Sequence, residues 1–292
     1  MHDRIVQVNA TGRLEGTLRP FNEMMMHLDA ASNEAGLLAR VHPDAAVRKT
    51  AEESEQAVQK VLTELRLDKK LFDAFSTLDV GGADPATQFM CAKVLRDFRR
   101  AGVDKSAAER AKIAALNEEI VKLGQEFAKN IRENEREVVL DSLSELDGMP
   151  EDWIQKHSPG ADGKIRVSTR YPDYYPYQTY ARSAERREKL YREFKNRGYP
   201  KNVEVLKKLL TKRYDLAKTL GYRSWAEYIT EDKMIGSSAN ARSFIDRIAE
   251  ASKPAADRDY DMLLARKRKD APGATKVEDW ESAYYQQWVK VE

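Results

Sequence analysis

Cysteine is nearly absent from this 292-residue chain, and a single residue, Cys91, excludes an internal disulfide and any multi-cysteine metal site. Cys91 follows Phe89 and Met90 in a helical pattern, which predicts a buried, inert thiol rather than a nucleophile. No apolar run is long enough to span a bilayer. Met1 to Ala10 lacks the apolar core of a secretion signal, so a cytoplasmic location is expected unless a front segment is missing. Charge of one sign is also lacking. Fifty basic residues nearly cancel 48 acidic ones, and a net charge of +2 gives no electrostatic case for nucleic acid or an anionic membrane as partner. The four-residue basic run Arg266 to Lys269 sits at a predicted helix end, where it complements the helix dipole.

Histidine is scarce as well. His2, His27, His42 and His157 make the full count; none is followed by glutamate, and no two lie four apart. A helical H-E-x-x-H site needs two imidazoles one turn apart with a carboxylate beside them, and this chain has no such pair. There is no P-loop, no glycine-rich dinucleotide fingerprint and no G-x-S-x-G elbow. Carboxylates are plentiful, but no pair stands in an apolar setting that would raise its pKa. The catalytic and metal-ligating residues assigned within this chain are therefore none, and substrate-binding residues stay unassigned.

What is present is helical periodicity. Ile113, Leu116, Ile120, Leu123, Phe127 and Ile131 recur at three- and four-residue steps through a proline-free run. Leu18 to Leu38 and Ala45 to Leu65 read as two further long helices, broken at His42-Pro43-Asp44. Glu137 to Leu140 is short and β-branched, and Ile165 and Val167 alternate with polar residues, so segments 137–140 and 164–168 are expected to pair as one small antiparallel ribbon. Ser142 and Glu145 have capping-box spacing, and Pro150 opens a short helix ending near His157. The run Tyr171-Pro172-Asp173-Tyr174-Tyr175-Pro176-Tyr177 holds two prolines and is expected to run extended and then turn. Its tyrosines either line a binding surface or pack over helices with their hydroxyls in water. Beyond it, Asn202 and Gly221 read as the N-cap and C′ residue of a helix with Leu206, Leu209, Leu216 and Leu220 on one face. Ser224 to Glu227 is a further capping box, Ser238 caps the next helix, and Pro254 implies a kink or break in it. Trp280, Tyr284 and Trp288 mark a last amphipathic helix that stops at Glu292 without a cap, which reads as a cut and predicts an exposed, self-associating aromatic surface.

The run from Leu95 to Val103, followed by Glu109-Arg110, Leu116-Asn117, Phe127 and Asn130, resembles the thimet oligopeptidase / oligopeptidase A family of zinc metallopeptidases. Tyr171 to Tyr174, Asn202, Val205-Leu206, Ala217 through Tyr222, Trp225 to Tyr228, Met234 and the closing Trp280 and Tyr284-Tyr285 continue the likeness in the family's order, over roughly residues 17 to 292. Lys105-Ser106 departs from the apolar-proline pair common after the family's "GV" element. Met24-Met25-Met26 is unusual in its place and either lines a groove or fills core gaps.

The resemblance implies a mostly α-helical, elongated body split by a channel, of which this chain would be the amino-terminal portion: a helical domain over 1–135, then a helical region with the β-ribbon over 136–292, truncated at its end. It implies zinc in the full-length parent and none bound by this fragment, short peptides as substrates, and a missing carboxy-terminal half as partner. This part would form channel wall and scaffold, and would be inactive alone. A non-catalytic helical peptide- or protein-binding module is the alternative.

Overall fold

A computed structural model describes Leu14–Glu292. His2 and the Met1–Ala10 segment lie outside the described residues. The fold is mostly α. Among the described residues there are twelve α-helices and one two-stranded sheet. The chain divides into two compact units.

The first unit takes the described residues up to Glu126 together with Val205–Met234. It opens with α1 (Leu14–Val41) and α2 (Ala45–Arg66), separated at His42-Pro43-Asp44 as the sequence predicts. Asp44 is the N-cap of α2, its carboxylate accepting from the amide of Ala46 at 2.7 Å. Helices α3 (Lys69–Ser76) and α4 (Pro85–Ala101) follow, each begun by a capping aspartate, Asp68 and Asp84. Phe21, Leu71, Phe75, Phe98 and Val103 form the core between these helices, with Phe21 and Phe75 edge-to-face at 4.8 Å. Met24 and Met25 pack against this core, while Met26 is exposed. Two of the three methionines therefore fill gaps rather than line a groove.

Helix α4 ends at Gly102, whose φ of +93° is the left-handed turn that releases the chain. A Cβ there would sit 2.7 Å from Ile113 Cδ1 and 2.9 Å from Leu220 Cδ2, so glycine is required for space as well as for φ. Helix α5 (Ala107–Glu133) then begins at a complete capping box. Ser106 Oγ accepts from the Glu109 amide at 3.2 Å and the Glu109 carboxylate accepts from the Ser106 amide at 3.0 Å. The departure at Lys105-Ser106 thus keeps a helix start by another device. Ile113 and Leu116 of α5 meet Leu67, Leu216 and Leu220 in a second core of this unit.

The second unit takes Phe127–Glu204 and Ile235–Glu292. Its ribbon is β1 (Glu137–Leu140) against β2 (Ile165–Ser168), antiparallel, with Glu137 opposite Ser168 and Leu140 opposite Ile165. Val138, Leu140, Ile165 and Val167 point to one buried face, the period-two pattern read from the sequence. A 3-10 turn (Leu143–Leu146) and α6 (Glu151–Lys156) connect the strands. The capping-box spacing at the start of the 3-10 turn does not form the box: Glu145 accepts from the Asp141 amide at 2.7 Å, one residue before the N-cap, and Ser142 makes no side-chain cap.

The Tyr171–Tyr177 stretch is helical, against the expectation of an extended run. It forms α7 (Tyr171–Tyr180). Pro172 falls in the first turn, where its missing N–H costs nothing. Pro176 cannot bond the carbonyl four residues back, that of Pro172, but Trp153 Nε1 donates to that carbonyl at 3.4 Å. An indole from a different helix thus takes the place of the lost backbone donor.

Helices α8 (Ala184–Lys195) and α9 (Lys201–Leu220) follow. Asn202 is not the N-cap of α9 but lies inside it, buried, accepting from Asn130 Nδ2 at 2.8 Å and donating to the Phe127 carbonyl at 3.0 Å. Its amide already has a backbone acceptor in Gly198, so its side chain is left to tie α9 to the end of α5. Gly221 does end α9, with a φ of +97°. Ser224 caps α10 (Trp225–Thr230), and Ser237 rather than Ser238 caps α11 (Ser238–Asp270). Helix α11 continues through Pro254, and the carbonyl of Glu250 that the proline leaves unbonded belongs to a solvent-exposed residue. The chain closes with a 3-10 turn (Asp279–Glu281) and α12 (Ser282–Val291).

Candidate functional sites

Three places combine polar or aromatic side chains in a way that could carry chemistry. The first is a cavity of about 300 Å³ in the first unit, lined among others by Arg66, Asp97, Arg100, Asn117, Tyr228 and Asp232. Arg100, on the last turn of α4, is largely buried and fully engaged. Its guanidinium donates to the Tyr228 carbonyl at 2.6 Å, pairs with Glu231, approaches Asp232 at 3.6 Å and lies 4.9 Å from the Tyr228 ring centroid. Burial pushes the Asp232 carboxyl up, but the Lys233 ammonium and the Arg100 guanidinium outweigh it and hold the group below the ordinary carboxylate range. Burial pushes the Tyr228 hydroxyl up. An ionised carboxylate, a spent guanidinium and a protonated phenol hold no proton in transit. The cluster is a clamp between α4 and the α10 region.

The second is His157 with Asp173. The Nδ1 atom lies 2.8 Å from the carbonyl of Trp153, which can only accept, so Nδ1 carries a hydrogen. Nε2 faces Asp173 Oδ1 at 3.1 Å, and the ring stacks on Trp153 with centroids 3.5 Å apart. The other oxygen of Asp173 accepts from both the amide and the hydroxyl of Ser168. Every polar atom of the pair is committed to joining α6, β2 and α7. His27 is exposed on α1, and Nδ1 of His42 accepts from the Asp44 amide at 3.1 Å. Among the described residues no three His, Cys, Asp or Glu side chains converge as a ligand set. The donors present do not fit a zinc ion, which takes three or four such ligands in tetrahedral array. Cys91 is buried, and burial pushes its thiol up, away from the reactive thiolate.

The third is an aromatic surface in the second unit. Tyr171 and Tyr175 of α7 are more than half exposed with rings 5.4 Å apart, and Phe194 of α8 stacks on Tyr174 at 3.7 Å. The Arg197 guanidinium covers Phe194 at 3.9 Å. The sequence left open whether these tyrosines face a ligand or pack over helices, and the structure divides them. Tyr174 and Tyr177 are core residues, both pushed up to about 12 by burial, while Tyr171 and Tyr175 face solvent.

Sequence reasoning did not find Arg187, the largest fully buried side chain. From α8 it donates to the carbonyls of Ala181 and Arg182, and its guanidinium lies 4.0 Å from the Tyr284 ring centroid. Burial lowers its pKa. It is one of several groups that cover the closing aromatics, which the sequence read as bare. Tyr284 and Tyr285 are buried, Trp280 packs beside Tyr191 and Arg192, and Trp288 lies under Arg266.

Residues 177–292, from within α7 to the end of α12, match Peptidase family M3. The chain is thus similar, over part of its length, to the M3 peptidases. It is 27% identical to oligopeptidase A of Haemophilus influenzae over 210 residues, covering 67% of this chain and 31% of that protein. Thimet-like oligopeptidase of Dictyostelium discoideum is 26% identical over 243 residues, 80% of this chain and 36% of that protein. Saccharolysin of Saccharomyces cerevisiae is 24% identical over 285 residues, 92% of this chain and 40% of that protein. The chain spans between three and four tenths of the length of these curated relatives. The mostly helical fold is the one the M3 resemblance implies, and among the described residues the single small ribbon is the one the patterns at 137–140 and 164–168 predict.

Proposed function

We propose that this chain is the amino-terminal share of a zinc-dependent metallo-oligopeptidase that hydrolyses peptide bonds in short peptides, and that it forms scaffold and channel wall rather than the reacting centre. The match of residues 177–292 to Peptidase family M3 carries this reading. Zinc, when bound in such an enzyme, polarises the scissile carbonyl and activates water. Because the donors among the described residues do not fit the metal, no catalytic step is assigned to them, and the chain alone is inactive under this reading. What its residues do is hold shape: Arg100 clamps α10, His157 fixes α6 to α7, and Arg187 seats α12. A cytoplasmic location and the absence of nucleic-acid or membrane partners belong to the same proposal.

The exposed pair Tyr171 and Tyr175 beside Arg197 favours one second reading, a non-catalytic peptide- or protein-binding module, since tyrosine and arginine dominate binding hot spots. A quenched peptide of about ten residues, the size an oligopeptidase channel would thread, separates the two readings when tested on the polypeptide encoded by the whole reading frame. Chelator-sensitive cleavage supports the peptidase. Peptide binding without cleavage supports the module.

A further inference from the structure

The cavity of about 300 Å³ in the first unit has walls of two kinds. Three helices each present one face to it, at four-residue steps: Asp97 and Ala101 on α4, Ile113 and Asn117 on α5, Leu216 and Leu220 on α9. Ile113, Leu216 and Leu220 are buried and belong to the second core of the unit, so one side of the cavity is apolar. The other side is charged, and part of it has no partner. Arg66, exposed at the end of α2, makes no hydrogen bond or ion pair with any described residue, and neither does the side-chain amide of Asn117. Asp97 accepts from Arg96 through Oδ1 alone, at 2.7 and 3.0 Å, which leaves Oδ2 without a donor among the described residues. Oδ1 of Asp232 is buried and accepts no well-directed hydrogen bond; the Lys233 ammonium lies 3.2 Å and the Arg100 guanidinium 3.6 Å from it.

Charge selects the class of ligand. A purely anionic molecule would meet Asp97 and Asp232, and a purely cationic one would meet Arg66 and the Arg100 guanidinium. A zwitterion meets neither penalty. We infer that the cavity binds a free α-amino acid with an apolar side chain, its carboxylate on Arg66 and Asn117, its ammonium on Asp97 and Asp232, and its side chain against Ile113, Leu216 and Leu220. The guanidinium fork and the amide N–H groups are donors suited to a carboxylate, and the two open carboxylate oxygens can only accept, as an ammonium requires. Size agrees. At about 30 Å³ per water the cavity equals about ten waters, which suits a molecule of about ten to fifteen non-hydrogen atoms. An internal stretch of polypeptide carries neither an α-ammonium nor an α-carboxylate, so its main chain satisfies neither end. The site holds whether or not a longer polypeptide cleaves peptides.

Isothermal titration calorimetry with leucine and phenylalanine, on the 292-residue chain and on the polypeptide encoded by the whole reading frame, tests this. Both polypeptides should bind phenylalanine. Phenylpropionate, which lacks the ammonium, and phenethylamine, which lacks the carboxylate, should each bind about tenfold more weakly or worse. Arg66→Gln should weaken phenylalanine about tenfold and leave phenethylamine unchanged, while Asp97→Asn should weaken phenylalanine by about as much and leave phenylpropionate unchanged. Arg66 is exposed and Asp97 partly so, and circular dichroism should show the fold unchanged in both variants. Binding of neither amino acid overturns the proposal. Phenylalanine binding that neither substitution moves overturns it as well. Binding by the 292-residue chain that disappears in the longer polypeptide also overturns it, because the rest of that polypeptide then fills the cavity.

Discussion

Replacing Arg187 by alanine should unfold the second unit far more readily than any surface change, and the size of the effect can be worked from its contacts. Arg187 is 1% exposed and its guanidinium has no carboxylate in contact; its partners are the carbonyls of Ala181 and Arg182 and the face of Tyr284. Ala181 is itself buried, so its carbonyl would be orphaned at about 1–3 kcal/mol, while the exposed Arg182 can turn to water. Loss of a desolvated cation–π contact adds about 2 kcal/mol. The vacated volume adds more, and release of a buried charge offsets part of it. A net loss of about 4 kcal/mol follows for Arg187→Ala. Arg187→Met refills the volume without the donors, and should recover only the cavity part, leaving a loss of about 2 kcal/mol. Urea unfolding followed by tryptophan fluorescence is the assay, because Trp153, Trp280 and Trp288 share a unit with Arg187. An Arg187→Met protein as stable as the wild type would overturn this assignment, since the buried charge would then be a net burden and its bonds worth nothing.

Other outcomes follow from the same contacts. Gly102→Ala forces a φ of +93° on an L residue and drives a methyl into Ile113 and Leu220, so a loss of about 2–4 kcal/mol in the first unit is expected from its urea midpoint. Ser106→Ala removes one half of the α5 capping box and should cost about 1 kcal/mol, with faster amide exchange confined to the first turn of that helix. Tyr174 and Tyr177, pushed up to about 12, should be the last phenols to ionise in an ultraviolet titration. The unfolded chain ionises at about 10, so their contribution is fully present below that pH and is lost as pH rises toward 12. Tyr177→Phe should remove part of that alkaline loss. An unchanged alkaline limb would contradict the assignment.

Much of the fold is legible because local signals agree. Asp44 after Pro43, Gly221 after Leu220 and the alternation at Ile165 and Val167 each name their element without tertiary help. The failures occur where a distant group changes the local rule. Pro176 reads as a helix breaker until Trp153 supplies the donor that the Pro172 carbonyl lacks. Asn202 reads as a cap until Gly198 is seen to serve its amide and Asn130 its side chain. Trp280, Tyr284 and Trp288 read as a bare face because nothing in the sequence marks Arg187 or Arg266 as their cover. A lone arginine in a chain with 50 basic residues carries no such signal. One apolar face that is bare lies on α11, with Phe244, Ile245, Ile248 and Met262 exposed, where the apolar spacing is interrupted by Pro254 and Arg258. The candidate sites were the least legible part, since clamps such as Arg100 and His157 are defined by partners up to 131 residues away.

If this chain serves a zinc oligopeptidase as scaffold without holding its reacting centre, metal and activity must both arrive with the rest of the protein. Zinc content and quenched-peptide hydrolysis, assayed side by side for the 292-residue chain and for the polypeptide encoded by the whole reading frame, decide the matter. Stoichiometric zinc and chelator-sensitive cleavage are expected for the longer polypeptide, with neither in the shorter one. Tightly held zinc or peptide cleavage by the 292-residue chain itself, abolished on substituting its histidines, would contradict the scaffold role.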